Sequence, residues 1–385
     1  SRGVGGKVKN SSVNRLQKED YILQPKGVGY WEKEIEIYQH KLKAYCIENQ
    51  VSSKTFQTKS QKLYNILIKP FEKQLTKKTN LIIIPDGALY FLPFETLIDS
   101  KNSYLVDKYN ISYTYSLQIW QNLCKRSYIN TRKTLLAFGG AKYNNLKFGD
   151  KKVNISSIEL SALKKQIRYA LQKNKPLQKF YAKIHKTNWK HLTGSLEEVN
   201  SLQKIFPQSK KITGEQVNES FIKTLSQQGE LKKYKILHFA THGIFIPSIP
   251  ELSALVFSLP AKRNEDGYLI SKEIAKLNLQ ADFVNLSACQ TAQGRLIAGE
   301  APMGLSYAFL LAGARSVSST LWSISDKGTS IFMQAVYRLA KEKNIPYAQA
   351  INEVKREFIS GKHGSRYRLP YYWAPFVFYG DETSK

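Results

Sequence analysis

Apolar positions along this chain recur at helical spacing, then at strand spacing, and back again many times, which predicts strands interleaved with helices. Residues 1–30 are polar, with Gly, Ser, Asn and Lys, and read as a tail or linker. Residues 32–49 and 57–77 place apolar side chains such as Ile35, Tyr38, Leu42 and Tyr45 at helical spacing, predicting two helices. Leu81–Pro85 reads as a short buried strand turned by Asp86-Gly87. A short helix starts at Pro93-Phe94-Glu95, and Ile111–Tyr115 is a further strand.

Leu135–Gly140 opens a run of α/β units, and a long, basic, helical insertion follows to about residue 191. Ser195 and Glu198 read as a capping box for a helix to about Phe206. Lys211–Thr213 is a strand and Glu219–Gln228 a helix; two strands then end at His242 and Cys289. A helix from about Pro302 to Ala312 stops at Gly313, Val317–Trp322 is a strand, and Asp326 caps the next helix. A last helix spans 346–360, and Phe376–Tyr379 closes the sheet. Strands alternating with helices predict an α/β fold, a three-layer sandwich around a mostly parallel central sheet. The expected organisation is a tail at 1–30, an N-terminal subdomain at 31–130 whose strands can also extend the main sheet, and a core at 131–385 with its insertion at 142–190.

Composition narrows the class. Of 385 residues 42% are hydrophobic, enough for a large core, and no apolar run approaches the ~20 residues that span a bilayer. The chain starts Ser1-Arg-Gly-Val-Gly-Gly, with no apolar stretch like a signal peptide and no initiator Met, and reads as processed or cut from something longer. Three scattered cysteines, Cys46, Cys124 and Cys289, do not make a disulfide framework and suit a reducing cytoplasm. Net charge is +28 and unevenly placed. Residues 142–190 hold thirteen Lys/Arg against two acids, whereas residues 236–325 hold six of each sign. Tyr169, Phe180, Tyr181 and Trp189 interleave with the lysines as a single-strand nucleic-acid binder requires. No nucleic-acid motif accompanies them, and a solvated lysine-rich face is the plainer reading.

The chemistry concentrates in Ile236-Leu-His-Phe-Ala-Thr-His242-Gly243 and Asp282-Phe-Val-Asn-Leu-Ser-Ala-Cys289-Gln-Thr. Each is an apolar run ending in a reactive side chain among small residues. Parallel sheets present functional residues at the carboxyl ends of their strands, so an imidazole and a thiol arrive at one edge. A thiol is only a few per cent thiolate at neutral pH, and a nearby imidazole raises that fraction. The histidine precedes the cysteine by 47 residues, the order and approximate spacing of caspases. Cys289 is the expected nucleophile and His242 the base, with the N–H groups of Gly243 and Cys289 as oxyanion donors. His238, four residues earlier, is expected on the same strand face as His242, packing beneath the site. A zinc site would need a fourth soft ligand beside His238, His242 and Cys289, and none is near in sequence; no metal is assigned. Cys46 and Cys124 lie on helical patterns and read as inert core residues. The glycine pairs lack the context of a phosphate-binding loop.

Several further segments carry a family resemblance: Leu81-Ile-Ile-Ile-Pro-Asp-Gly-Ala-Leu-Tyr-Phe-Leu-Pro-Phe-Glu-Thr-Leu97, His238-Phe-Ala-Thr-His-Gly243, Glu265-Asp-Gly-Tyr-Leu269, Leu286-Ser-Ala-Cys-Gln-Thr291, Gly299-Glu-Ala-Pro-Met-Gly-Leu305, Phe309-Leu-Leu-Ala-Gly-Ala-Arg315, Thr320-Leu-Trp-Ser-Ile-Ser-Asp326 and Trp373-Ala-Pro-Phe376. In this order they resemble the CHAT domain, a caspase-like module associated with TPR proteins, over about residues 60–380. The resemblance implies a caspase-like cysteine endopeptidase acting on protein substrates without a cofactor, latent until a TPR or sensor module or partner triggers it in bacterial signalling or defence. It also implies a pocket that selects the residue before the cut. Glu300 and Asp326 are its acidic candidates, each with a plainer role in fixing a loop or capping a helix. Gln290 stands where the family often has Glu and carries no charge. Two rivals remain, a catalytically silent scaffold and a nucleic-acid-binding regulator using the basic insertion.

Overall fold

Runs such as Leu135–Phe138 and Phe283–Leu286, apolar at nearly every position, are stable only where both faces are covered. Both are central strands of one sheet. The structure, a computed structural model, describes residues 28–48, 52–143, 157–173, 175–183, 189–246, 249–258, 265–287, 290–291, 304–322 and 324–385. Among them the strands are β1 (Asn80–Ile83), β2 (Asn110–Tyr113), β3 (Lys133–Gly139), β4 (Lys210–Thr213), β5 (Tyr234–Ala240), β6 (His242–Phe245), β7 (Ala254–Val256), β8 (Tyr268–Ile270), β9 (Ala281–Leu286), β10 (Gln290–Thr291), β11 (Ala314–Thr320) and β12 (Phe376–Gly380).

Eight strands form the main sheet in the order β1-β2-β12-β11-β9-β5-β3-β4, and β10-β6-β7-β8 form a second sheet. Neighbours in the main sheet are parallel except β11 and β12. Two parallel blocks running in opposite directions therefore meet at β12. Phe376–Tyr379, expected to close the sheet, lies inside it, and β1 and β2 join the sheet through β12. The predicted α/β layering holds: one apolar cluster includes Phe138, Leu237, Phe239 and Phe309, and a second includes Ile236, Phe283, Phe332 and Tyr337. Leu237 and Phe239 join one cluster while Ile236 and Ala240 join the other, as the two-residue period of a strand requires. Among the described residues no helix is long and apolar enough to cross a membrane.

Helix ends differ from expectation in two instructive ways. The helix Thr193–Ile205 starts after Leu192, so Ser195 and Glu198 fall inside it and make no capping box. Ser195 Oγ instead accepts the Gly140 N–H and donates to the Leu192 carbonyl. This helix lies hard against β3: a Cβ on Gly139 would sit 2.7 Å from the Ser195 carbonyl oxygen, so only glycine allows the approach. The helix Asp326–Lys343 is capped by Ser325, whose side chain accepts from the Gly328 N–H; Asp326 is its first helical residue. A hydroxyl in extended backbone just before the helix is the better acceptor for a first-turn N–H.

A buried ion pair ties residues 86–97 to the helix Tyr347–Ser360. Lys355 Nζ lies 2.5 Å from Glu95 Oε1, with both side chains at most 1% exposed. The Tyr113 hydroxyl donates to the other Glu95 oxygen at 2.6 Å. Burial pushes the Lys355 ammonium below the usual lysine range while the Glu95 carboxylate opposes it. Lys355→Met leaves that carboxylate buried without a cation, and urea unfolding should register a loss of about 3–5 kcal/mol. The double variant with Glu95→Gln should recover much of it; equal losses in single and double variants would show that the pair is not the cause.

Candidate active site

The carboxyl ends of β3, β4, β5, β9 and β11 share one edge of the main sheet, and both reactive segments leave from it. β5 stops at Ala240, Thr241 bends, and His242 begins β6 in the second sheet. The single apolar run in the sequence is thus two strands. This overturns the expectation that His238 and His242 share a strand face. The His238 ring meets Tyr337 in the cluster under the helix Asp326–Lys343. The His242 ring meets Tyr143 and Trp189, which belong to the other cluster.

His242 is held on several sides and is only 4% exposed. Its ring centroid lies 4.7 Å from that of Tyr143 and 4.9 Å from that of Trp189. Its backbone N–H donates to Tyr143 Oη at 3.1 Å, and its Nε2 lies 2.7 Å from the Lys190 carbonyl oxygen. A carbonyl only accepts, so Nε2 carries the proton of the neutral ring, and the lone pair stays on Nδ1. An imidazole whose tautomer is set by a third group is the arrangement a general base needs. Trp189 is fixed in turn, donating through Nε1 to Tyr268 Oη at 3.1 Å.

Cys289 and Glu300 lie outside the described residues, as do the side chains of Gln290 and Asp326. The nearest described residues flanking Cys289 are Ser287 and Gln290. The Ser287 N–H donates to the Phe239 carbonyl at 2.9 Å, and Gln290 pairs with Ile244, two residues past His242. Both flanks therefore border the β5–β6 bend. Gly243 is buried within β6 and pairs with Leu255. The other two thiols are poor nucleophiles. Burial pushes Cys46 up to about 12, and burial together with the Asp381 and Glu382 carboxylates does the same to Cys124.

Two groups among the described residues have metal-ligand atoms in proximity: Cys124, Asp381 and Glu382, and Glu219, Glu265 and Glu273. The second borders a cavity of about 380 Å³ between the insertion and β8, and Lys223 already occupies it, 2.6, 2.8 and 2.6 Å from the three carboxylates. In the first, Asp381 is paired with Arg315 and Glu382 accepts from Trp120.

The insertion corrects the nucleic-acid argument. Phe180, Tyr181 and Trp189 are buried and Tyr169 alone of the four is exposed, so three of the interleaved aromatics have no face for a base. Leu163, Ile167 and Ala170 turn inward on the helix Ser157–Gln172 while Lys165 and Arg168 face outward, the pattern of a solvated amphipathic helix. The residues missed in the sequence are those that hold His242: Tyr143, Trp189 and the Lys190 backbone. A backbone carbonyl has no sequence signature, and an aromatic in a basic run is ambiguous until its burial is known.

The family model for the CHAT domain matches residues 57–381. The mouse (Mus musculus) tetratricopeptide repeat protein 28 is 21% identical over 365 residues, covering 83% of this chain and 13% of its own length. Yeast (Saccharomyces cerevisiae) separase, in complex with securin, superposes with a TM-score of 0.41 at 16% identity, over 83% of this chain and 17% of that one. RgpB of Porphyromonas gingivalis, pro- and mature domains in complex, does so with a TM-score of 0.45 at 10% identity, over 92% of this chain and 76% of that one.

Histidine-labelled NMR should find the neutral form of the His242 ring as the Nε2–H tautomer. Trp189→Ala should mix the two tautomers without unfolding the chain. An Nδ1–H form in the parent protein would contradict the Lys190 hydrogen bond.

Proposed function

This chain belongs to the CHAT domain family, and on that premise we propose that it is a cysteine endopeptidase with Cys289 as nucleophile and His242 as base. The observation that carries the reading is the His242 Nε2–Lys190 hydrogen bond at the β5–β6 bend. It sets Nε2 as the protonated nitrogen of the neutral ring, and Gln290, next to Cys289 in sequence, pairs with β6 two residues past His242.

The chemistry balances with these groups. His242 Nδ1 takes the thiol proton, and the Cys289 sulfur bonds to the scissile carbonyl carbon. The resulting oxyanion is held by N–H groups, with those of Gly243 and Cys289 proposed. Collapse breaks the C–N bond, the imidazolium protonates the leaving amine, and water then hydrolyses the thioester with His242 again as base. The Lys190 carbonyl keeps the ring oriented and disperses its positive charge at each protonation, as a triad's third member does. Glu300 and Asp326 are the proposed acidic wall of the pocket for the residue before the cut, which would select Lys or Arg; Gln290 would contribute polarity there without charge.

Control belongs to the same proposal. A relative carries tetratricopeptide repeats in its name, and this chain spans about an eighth of that relative's length (13%). A repeat module that holds the peptidase latent until a signal arrives is the proposed partner, in a cytoplasmic setting where Cys289 stays reduced.

Cleavage of a mixed peptide library should be detectable with the parent chain, once supplied with any activating partner. Cys289→Ala should abolish it, and His242→Ala should cut kcat/KM by about 10²–10⁴. Products ending in Lys or Arg would support the acidic pocket, and an apolar preference would remove it. Undiminished cleavage by Cys289→Ala would overturn the assignment.

A further inference from the structure

A second polar network lies under the site on the opposite face of the sheet from the His242 ring. His238 and Asn285 are register partners on β5 and β9, and the Asn285 amide donates to His238 Nδ1 at 3.2 Å. The Tyr337 hydroxyl lies 2.9 Å from the same nitrogen. Nδ1 is thus the acceptor, and the proton of the neutral ring is on Nε2. Nε2 lies 3.0 Å from Glu198 Oε1 but out of line for a proper hydrogen bond. The same Oε1 accepts a short, 2.6 Å hydrogen bond from the Ser287 hydroxyl. Glu198 is 3% exposed and His238 fully buried.

A network built only for stability would not look like this. Burying a carboxylate is costly unless it is paired and fully hydrogen-bonded. Among the described residues no Lys or Arg pairs with Glu198, and the His238 Nε2 beside it makes no straight hydrogen bond. Among the described residues, the one well-formed bond that the Glu198 carboxylate accepts comes from Ser287, two residues before Cys289. The Gly139 contact seats the helix that carries Glu198 against the sheet, which makes the carboxylate a rigid support.

We propose that Glu198, backed by His238, is a positioning residue that fixes Ser287 and with it the start of the segment bearing Cys289. This inference rests on the peptidase reading for its consequence, but not for its geometry. The stretch from Trp189 to Glu198 then serves both reactive segments, through the Lys190 carbonyl on one side and the Glu198 carboxylate on the other.

Two readouts on the full chain separate the claims. Hydrogen exchange of the peptide 286–291 reports whether the support exists. The pH profile of Cys289 alkylation by iodoacetamide, read by peptide mass, reports whether it matters to the thiol. Ser287→Ala removes only the donor and should speed exchange in that peptide about tenfold while leaving β3 unchanged. It should also slow alkylation below pH 8 by about tenfold to a hundredfold. Glu198→Ala should do the same, and Glu198→Gln, which keeps the acceptor oxygen, should restore most of both. Unchanged exchange in folded Ser287→Ala and Glu198→Ala overturns the proposal. So does faster exchange with an unaltered alkylation profile. His242→Ala is the control for the peptidase reading: if it leaves the parent profile unchanged, the dyad falls, and the exchange result alone decides whether Glu198 holds Ser287.

Discussion

The 2.7 Å hydrogen bond from His242 Nε2 to the Lys190 carbonyl is the contact on which the proposed chemistry rests. Without it the Lys190 carbonyl would not choose between the two tautomers of the ring. With it Nε2 is fixed as the protonated nitrogen of the neutral ring. Tyr143 and Trp189 hold the ring so that the bond cannot swing away, and the Trp189–Tyr268 hydrogen bond anchors the stack to β8. The basic insertion, which looks in the sequence like an appendage, therefore ends in residues that hold His242.

The sheet explains why this is possible at that edge. Five parallel strands, β4, β3, β5, β9 and β11, discharge their chain in the same direction, and the reversed block β1-β2-β12 extends the sheet beyond β11. The bend at Thr241 turns the chain out of the main sheet into a second one, which lets His242 leave the layer that contains His238. A straight strand would have stacked the two imidazoles on one face. The bend instead puts the lower histidine beside a buried carboxylate and the upper one against Tyr143 and Trp189.

Much of this was legible from residue patterns. The doubly buried runs of β3, β5 and β9 and the Gly313 stop of the helix Leu305–Ala312 follow from local chemistry, and the structure agrees to within a few residues. The failures share one cause. Ser195 and Glu198 have capping-box spacing, and Trp189 has the look of a stacking aromatic. Each was claimed by a contact distant in sequence, with Gly140, Ser287 and His242 respectively. The Thr241 bend was hidden because Ile236–Ile246 stays largely apolar across it, so period alone could not divide the run. Asp326 lost its capping role to its neighbour Ser325, one residue earlier, a distinction decided by backbone angles rather than by residue type.

The account is tested most directly by trapping the covalent intermediate. A peptide carrying an electrophilic ketone at the scissile position should add its mass to the chain once, on Cys289, and His242→Ala should form that adduct far more slowly. Label on Cys46, on Cys124 or on a hydroxyl, or peptide cleavage that proceeds while Cys289 stays unmodified, would contradict the assignment of the thiol and the imidazole to one site.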